Sequence, residues 1–175
     1  GRHMEGLKES HRKLSRMSGQ LVDEWLDIDD FYRLYNSLVF TVKADLFIPA
    51  GGRPETIDSQ NWKLFLDENS VPSSKIIVEG ANSFVTPEAR LQLQKSGIVI
   101  MRDASANKCG VISSSYEIIA NLLLSEREFL EHKERYIGDV LDILTKRAAD
   151  EASLILRRRR ESGNTLLCSD ISETI

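Results

Sequence analysis

The chain has 175 residues, 41% hydrophobic and 29% charged, with a net charge of −4. A chain of this size and balance makes one globular domain, or one domain plus an appendage, and can bury a core without disulfides or metal staples. The acidic balance excludes a global basic field for nucleic acid, no apolar run reaches the roughly 18–20 residues that span a bilayer, and two cysteines, Cys109 and Cys168, exclude a disulfide framework.

Gly1-Arg2-His3-Met4 reads as a tag remnant. Residues 5–37 read as a helical leader: Leu7, Leu14, Met17, Leu21, Val22 and Trp25 recur at roughly helical spacing. Gly19 weakens that helix by about 1 kcal/mol relative to alanine. Asp23, Glu24, Asp27, Asp29 and Asp30 follow as an acidic cluster. A calcium loop counted from Asp27 would need glycine and glutamate where Tyr32 and Leu38 stand, so the cluster reads as a solvated face.

Residues 38–124 change character. Leu38–Val42, Leu46–Ile48, Lys75–Val78 and Ile98–Met101 are short apolar runs bounded by Gly and Pro, as buried parallel strands are. Helices are expected between them. Ser59 is the expected cap of one that shows Trp62, Phe65 and Leu66 on one face. Thr86-Pro87-Glu88 starts a second, which Gly97 stops. The alternation argues for an α/β layer with right-handed crossovers. Residues 125–160 read as one long helix opened by the capping box Ser125–Glu128, with Glu131–Arg135 and Asp142–Lys146 as i,i+4 pairs. Residues 161–175 read as a flexible tail.

General searches for chemistry return little. There is no phosphate loop, no nucleophile elbow and no G-x-G-x-x-G turn. His11 and His132 are the only histidines outside the tag remnant, and His132 lies in the charged helix. Cys109 and Cys168 have no metal-ligand spacing, and Cys109 reads as a small buried residue. Three glycine- and amide-bearing turns remain, each directly after a strand: Pro49–Pro54, Glu79–Asn82 and Asp103–Gly110. Ligands of open α/β sheets bind outside the carboxyl ends of the strands. The turns therefore point either to one shared cleft or to ordinary βα connections.

Three ordered stretches carry a resemblance. Ala44-Asp45-Leu46-Phe47-Ile48-Pro49-Ala50-Gly51-Gly52-Arg53-Pro54-Glu55 is one. The second runs from Ile77-Val78-Glu79-Gly80-Ala81-Asn82 to Thr86-Pro87-Glu88-Ala89-Arg90. The third runs from Asp103-Ala104-Ser105-Ala106-Asn107 to Gly110-Val111-Ile112-Ser113-Ser114-Ser115-Tyr116-Glu117. Together they resemble the second half of the cofactor domain of NAD-dependent glutamate dehydrogenases, in the large-subunit branch, over roughly residues 38–160. The resemblance implies a partial Rossmann-like parallel sheet with flanking helices and a long C-terminal helix. It implies oxidative deamination of L-glutamate to 2-oxoglutarate and ammonia, with hydride passed to NAD.

The resemblance places Ala50, Gly51, Gly80, Asn82 and Asn107 on the cofactor. It places Asn107 and Ser114, seven residues further on, on the substrate side. A serine hydroxyl suits the distal carboxylate of glutamate, because charge-assisted hydrogen bonds are roughly twice as strong as neutral ones. Arg53 is expected to pair either with a ligand carboxylate or in a structural salt bridge. The catalytic lysine and aspartate of the family belong to an upstream domain, so no catalytic residue is assigned here and the segment alone is expected to be inactive. Expected partners are the remainder of the parent enzyme and further copies of it, with no nucleic acid and no membrane. A cytoplasmic location is expected, with a mitochondrial one left open. The alternative is a non-catalytic interaction module that uses the long helix and its Arg157–Arg160 run.

Overall fold

The computed structural model describes residues 10–17, 20–51 and 53–175. The tag remnant, Leu7, Gly19 and Gly52 lie outside the described residues. The chain forms two compact units, one ending at Val42 and the other spanning Lys43–Ile175.

The first unit corrects the expected helical leader. Strand β1 (Ser10–Met17) pairs antiparallel with β2 (Gln20–Asp27), with Lys13 opposite Glu24 in the register. Only two residues separate the strands, the spacing at which antiparallel pairing is favoured over a continued helix. Helix α1 (Ile28–Thr41) follows. It absorbs all but the last residue of Leu38–Val42, which the sequence marks as a strand. The physical reason is periodicity: Phe31, Leu34, Tyr35 and Leu38 continue an i, i+3, i+4, i+7 stripe into that run, and Asp29 and Asp30 stand at the positive end of the helix dipole.

The second unit is built on a three-stranded sheet of β3 (Ala44–Phe47), β4 (Ser74–Val78) and β5 (Val99–Met101), in that spatial order. All pairing is parallel, with Phe47 opposite Ile77 and Ile77 opposite Ile100. These three residues share one face. Phe47 there meets Phe65 and Phe84, each with ring centroids 6.0 Å away. Ile57, Val85, Ala89, Leu93 and Ile98 complete this buried core. The opposite face carries Leu46 and Ile76, both exposed, and Val99. Val99 and Met101 pack against Ile155, Cys168 and Ile171.

The connections follow local chemistry. A single 3-10 turn, Trp62–Phe65, stands where a capped α-helix is expected. Ser59 does not cap it: the N-cap is Asn61, which makes no side-chain cap bond, and in the turn ahead of it the Asp58 carboxylate accepts from the backbone N–H groups of Gln60 and Asn61 at 2.8 and 2.9 Å. Leu66 leaves the helix to bridge Pro72. Helix α2 (Pro87–Lys95) starts as expected, with the Ala89 N–H donating to the Thr86 hydroxyl at 3.3 Å. Gly97, at φ +91°, turns the chain out of it, a conformation that a side chain would strain.

Helices α3 (Asp103–Ala106) and α4 (Cys109–Leu123) come next, then α5 (Glu126–Glu161) with its capping box on Ser125 and Glu128. Arg135 pairs with Asp139 rather than with Glu131. The final residues are not a flexible tail. Gly163 and Asn164, at φ +66° and +65°, reverse the chain, and α6 (Cys168–Glu173) returns along α5 with Cys168 and Ile171 buried. The arginine run builds this reversal: Arg159 donates to the Leu166 carbonyl at 2.7 Å.

Two measurements check the packing. Phe65→Ala is expected to cost about 3–5 kcal/mol in urea unfolding, whereas Leu64→Ala, at an exposed neighbour, should stay within about 0.5 kcal/mol. Burial pushes the Cys168 thiol above its ordinary range, so a thiol reagent at neutral pH should label Cys109 first and reach Cys168 only on unfolding.

Candidate functional site

Parallel strands end on the same side of a sheet, so the turns after β3, β4 and β5 are neighbours. The first two are fastened by backbone. The Ala81 N–H donates to the Pro49 carbonyl at 2.6 Å, the Glu55 N–H to the Ser83 carbonyl at 2.7 Å, and the Ile57 N–H to the Phe84 carbonyl at 3.0 Å. Gly80 suits this contact: a Cβ there would crowd it, standing 3.1 Å from the Pro49 oxygen and 3.6 Å from the Ala50 Cα. Ala50 and Gly51 are exposed beside it, and a Cβ at Gly51 would meet open space. Arg53 is exposed as well.

The second and third turns are fastened by side chains. The Asn107 amide nitrogen donates to Asn82 Oδ1 at 2.5 Å and lies 3.4 Å from the Gly80 carbonyl. Among the described residues, that leaves the Asn82 amide N–H₂ and the Asn107 carbonyl available to a ligand. The Asp103 carboxylate accepts from the Ser83 N–H at 2.9 Å. Asn82 is exposed and Asn107 half-buried, so the pair forms the accessible lip of the three turns.

Beneath this lip lies a charged pair that the sequence reading did not single out. Glu79, fully buried, receives Arg90 Nε at 2.7 Å and an Arg90 Nη at 2.8 Å. The second nitrogen also donates to the Val85 carbonyl at 2.9 Å. Burial pushes the Glu79 carboxyl above its ordinary range, against the hydrogen bond and charge of Arg90. Burial opposes the Arg90 charge too, but the hydrogen bond and charge of Glu79, with the charges of Asp103 and Glu173, together raise the guanidinium. The two-oxygen geometry is that of an ionised pair, and we take both groups as charged at neutral pH. The available signal in the sequence was a glutamate placed straight after a buried strand, where a charge needs a partner.

Ser114 is exposed on α4 and lines a groove of about 1090 Å³ between α4 and α5, with Asn121, Phe129, Tyr136 and Leu141 among its walls. Tyr136 closes part of that groove by donating to the Tyr116 carbonyl at 2.5 Å. Of the site residues expected from sequence, Asn107 meets both Asn82 and Gly80, Gly80 packs against Ala50, with Gly51 next in the chain, and Ser114 stands on α4 at the groove. Cys109, expected to be buried, is half-buried at the first position of α4. Lys108 forms an ion pair with Glu151 that fixes the start of α4 to α5.

Comparison with known proteins gives a consistent picture. A family model described as Glutamate/Leucine/Phenylalanine/Valine dehydrogenase matches residues 2–166. A probable NAD-specific glutamate dehydrogenase of Schizosaccharomyces pombe is 44% identical over 105 residues, 60% of this chain and 10% of that one. An NAD-specific glutamate dehydrogenase of Saccharomyces cerevisiae is 47% identical over 103 residues, 58% of this chain and 9% of its own length. That of Neurospora crassa is 38% identical over 134 residues, 69% of this chain and 12% of its own. The chain spans about a tenth of the length of these relatives.

Removing Arg90 would strand a buried charge. Arg90→Met is expected to cost about 3–5 kcal/mol near neutral pH. The sign with pH follows from linkage. A carboxyl raised in the folded state takes up its proton before the unfolded chain does, so its contribution is present below the ordinary glutamate range and lost as pH rises through the raised value. Urea melts across that window should show Arg90→Met least destabilised at its acid end, and Glu79→Gln in the same background should flatten the dependence.

Proposed function

The chain belongs to the Glutamate/Leucine/Phenylalanine/Valine dehydrogenase family, and from that premise we propose that it is the nicotinamide-side wall of the cofactor domain of an NAD-dependent glutamate dehydrogenase. The observation that carries this reading is the Asn82–Asn107 contact at the carboxyl ends of β4 and β5. A dinucleotide fold binds its ligand at those ends. The pair offers neutral donors and a neutral acceptor, which suit the hydroxyls of a ribose and the carboxamide of a nicotinamide.

When bound, NAD supplies the hydride acceptor for oxidation of L-glutamate toward 2-oxoglutarate and ammonia. The residues of this chain bind and orient. Asn82 and Asn107 would hold the nicotinamide end, while open space at Gly51 would leave room for the cofactor to approach. Gly80 sets how closely the first two turns approach. Ser114, at the α4–α5 groove, would meet the distal carboxylate of glutamate from a separate position. Specificity for NAD over NADP is supported by the names of the relatives just described, which are 38–47% identical.

Titration with NADH, read by energy transfer from Trp25 and Trp62, tests the assignment. Saturable binding weakened about tenfold by Asn107→Ala, the equivalent of about 1.4 kcal/mol, is expected. In the full-length enzyme the same change should raise KM for NAD, and Ser114→Ala should raise KM for glutamate instead. Equal responses to both changes would count against a divided site.

A further inference from the structure

Ser83 follows Asn82 directly and has φ +53°, a left-handed backbone that a serine adopts at a cost. Something must hold it there. Its carbonyl accepts from the Glu55 N–H at 2.7 Å, and its N–H donates to Asp103 Oδ2 at 2.9 Å. The peptide that fixes the direction of the Asn82 side chain is therefore held by a carboxylate from the next turn along the sheet. The other oxygen of Asp103 accepts from the Ala104 N–H at 2.8 Å, so the carboxylate itself is oriented. Arg102 stands 3.9 Å from that oxygen and offsets the charge. The side chain is largely buried, at 19% exposure. Asp103 opens the short helix α3 and Asn107 closes it, so a single piece grips the Asn82 turn at two points.

We propose that Asp103 is a positioning residue for the cofactor site: its carboxylate locks the strained Ser83 peptide and thereby sets the Asn82–Asn107 pair. Asp103 touches no ligand in this scheme and acts only through Asn82. The proposal rests on the reading of that pair as the nicotinamide-side contact. Small displacements matter at such a site, since misplacing a binding group by about 1 Å can cost on the order of 100-fold.

The test uses the full-length dehydrogenase that carries this segment. Asp103→Ala is expected to raise KM for NAD about tenfold, with KM for glutamate changed less than about twofold. Asp103→Asn keeps a carbonyl acceptor for the Ser83 N–H and should return KM for NAD to within about threefold of the unaltered enzyme. Hydrogen exchange at the Ser83 amide is a second readout that does not depend on cofactor. It should speed up in Asp103→Ala and stay protected in Asp103→Asn. Lower stability without a change in KM for NAD overturns the proposal, and so does unchanged Ser83 protection in Asp103→Ala. Asn82→Ala and Asn107→Ala, measured alongside, separate the two readings. If they raise KM for NAD and Asp103→Ala does not, only the role of Asp103 falls. If they leave it unchanged, the cofactor reading of the pair falls and the proposal falls with it.

Discussion

Three parallel strands stop on one side of the sheet, and each stops with backbone groups that the sheet no longer pairs. Buried backbone must find partners, and here it finds them across the strand ends rather than in solvent. Pro49 serves Ala81, and Ser83 serves Glu55 and is served by Asp103. Every other feature of the site depends on this mutual satisfaction. It brings the β3 turn against the β4 turn so closely that a side chain at position 80 would crowd the Pro49 carbonyl. It also leaves the two asparagine amides of the second and third turns face to face.

The Glu79–Arg90 pair belongs to the same problem at greater depth. A buried ion pair is weak as a source of stability, because desolvation offsets most of its attraction. Its value here lies in geometry. One Arg90 nitrogen also reaches the Val85 carbonyl, so the guanidinium ties α2 to both ends of the loop that carries Gly80, Asn82 and Ser83. An apolar pair of the same volume could fill the space but could not fix the loop at two backbone-adjacent points. The cost of charge is borne where a turn must keep one shape.

What the sequence made legible follows from how local each signal is. The strands after Lys43, the Thr86–Pro87 helix start, the Gly97 stop and the Ser125–Glu128 box are set by residues within a few positions of one another. They read directly. Residues 10–42 did not, because Leu14, Leu21 and Trp25 fit helical spacing about as well as a strand pair, and Leu38–Val42 has strand composition inside a helical stripe. The cleft was legible as three turns with glycines and amides. Its support was not. Glu79 with Arg90 and Ser83 with Asp103 are partners 11 and 20 residues apart, and nothing within either local window announces them.

The last residues show the same limit from the other side. Gly163, Asn164 and a scatter of serines and threonines compose a tail by any local measure. Yet α3 has only four residues, too few to hold a helix by its own hydrogen bonds. Its place is borrowed. Ser105 on α3 meets Ser172 on α6 at 2.5 Å, and Arg102 beside it donates to Glu173 at 2.5 Å. Gln94 of α2 reaches Ser169 at 2.9 Å. Helix α6 thus ties α2, α3 and β5 together, and the piece that presents Asp103 and Asn107 is only as rigid as that anchorage. The tail is part of the site's frame because a one-turn helix cannot be its own foundation.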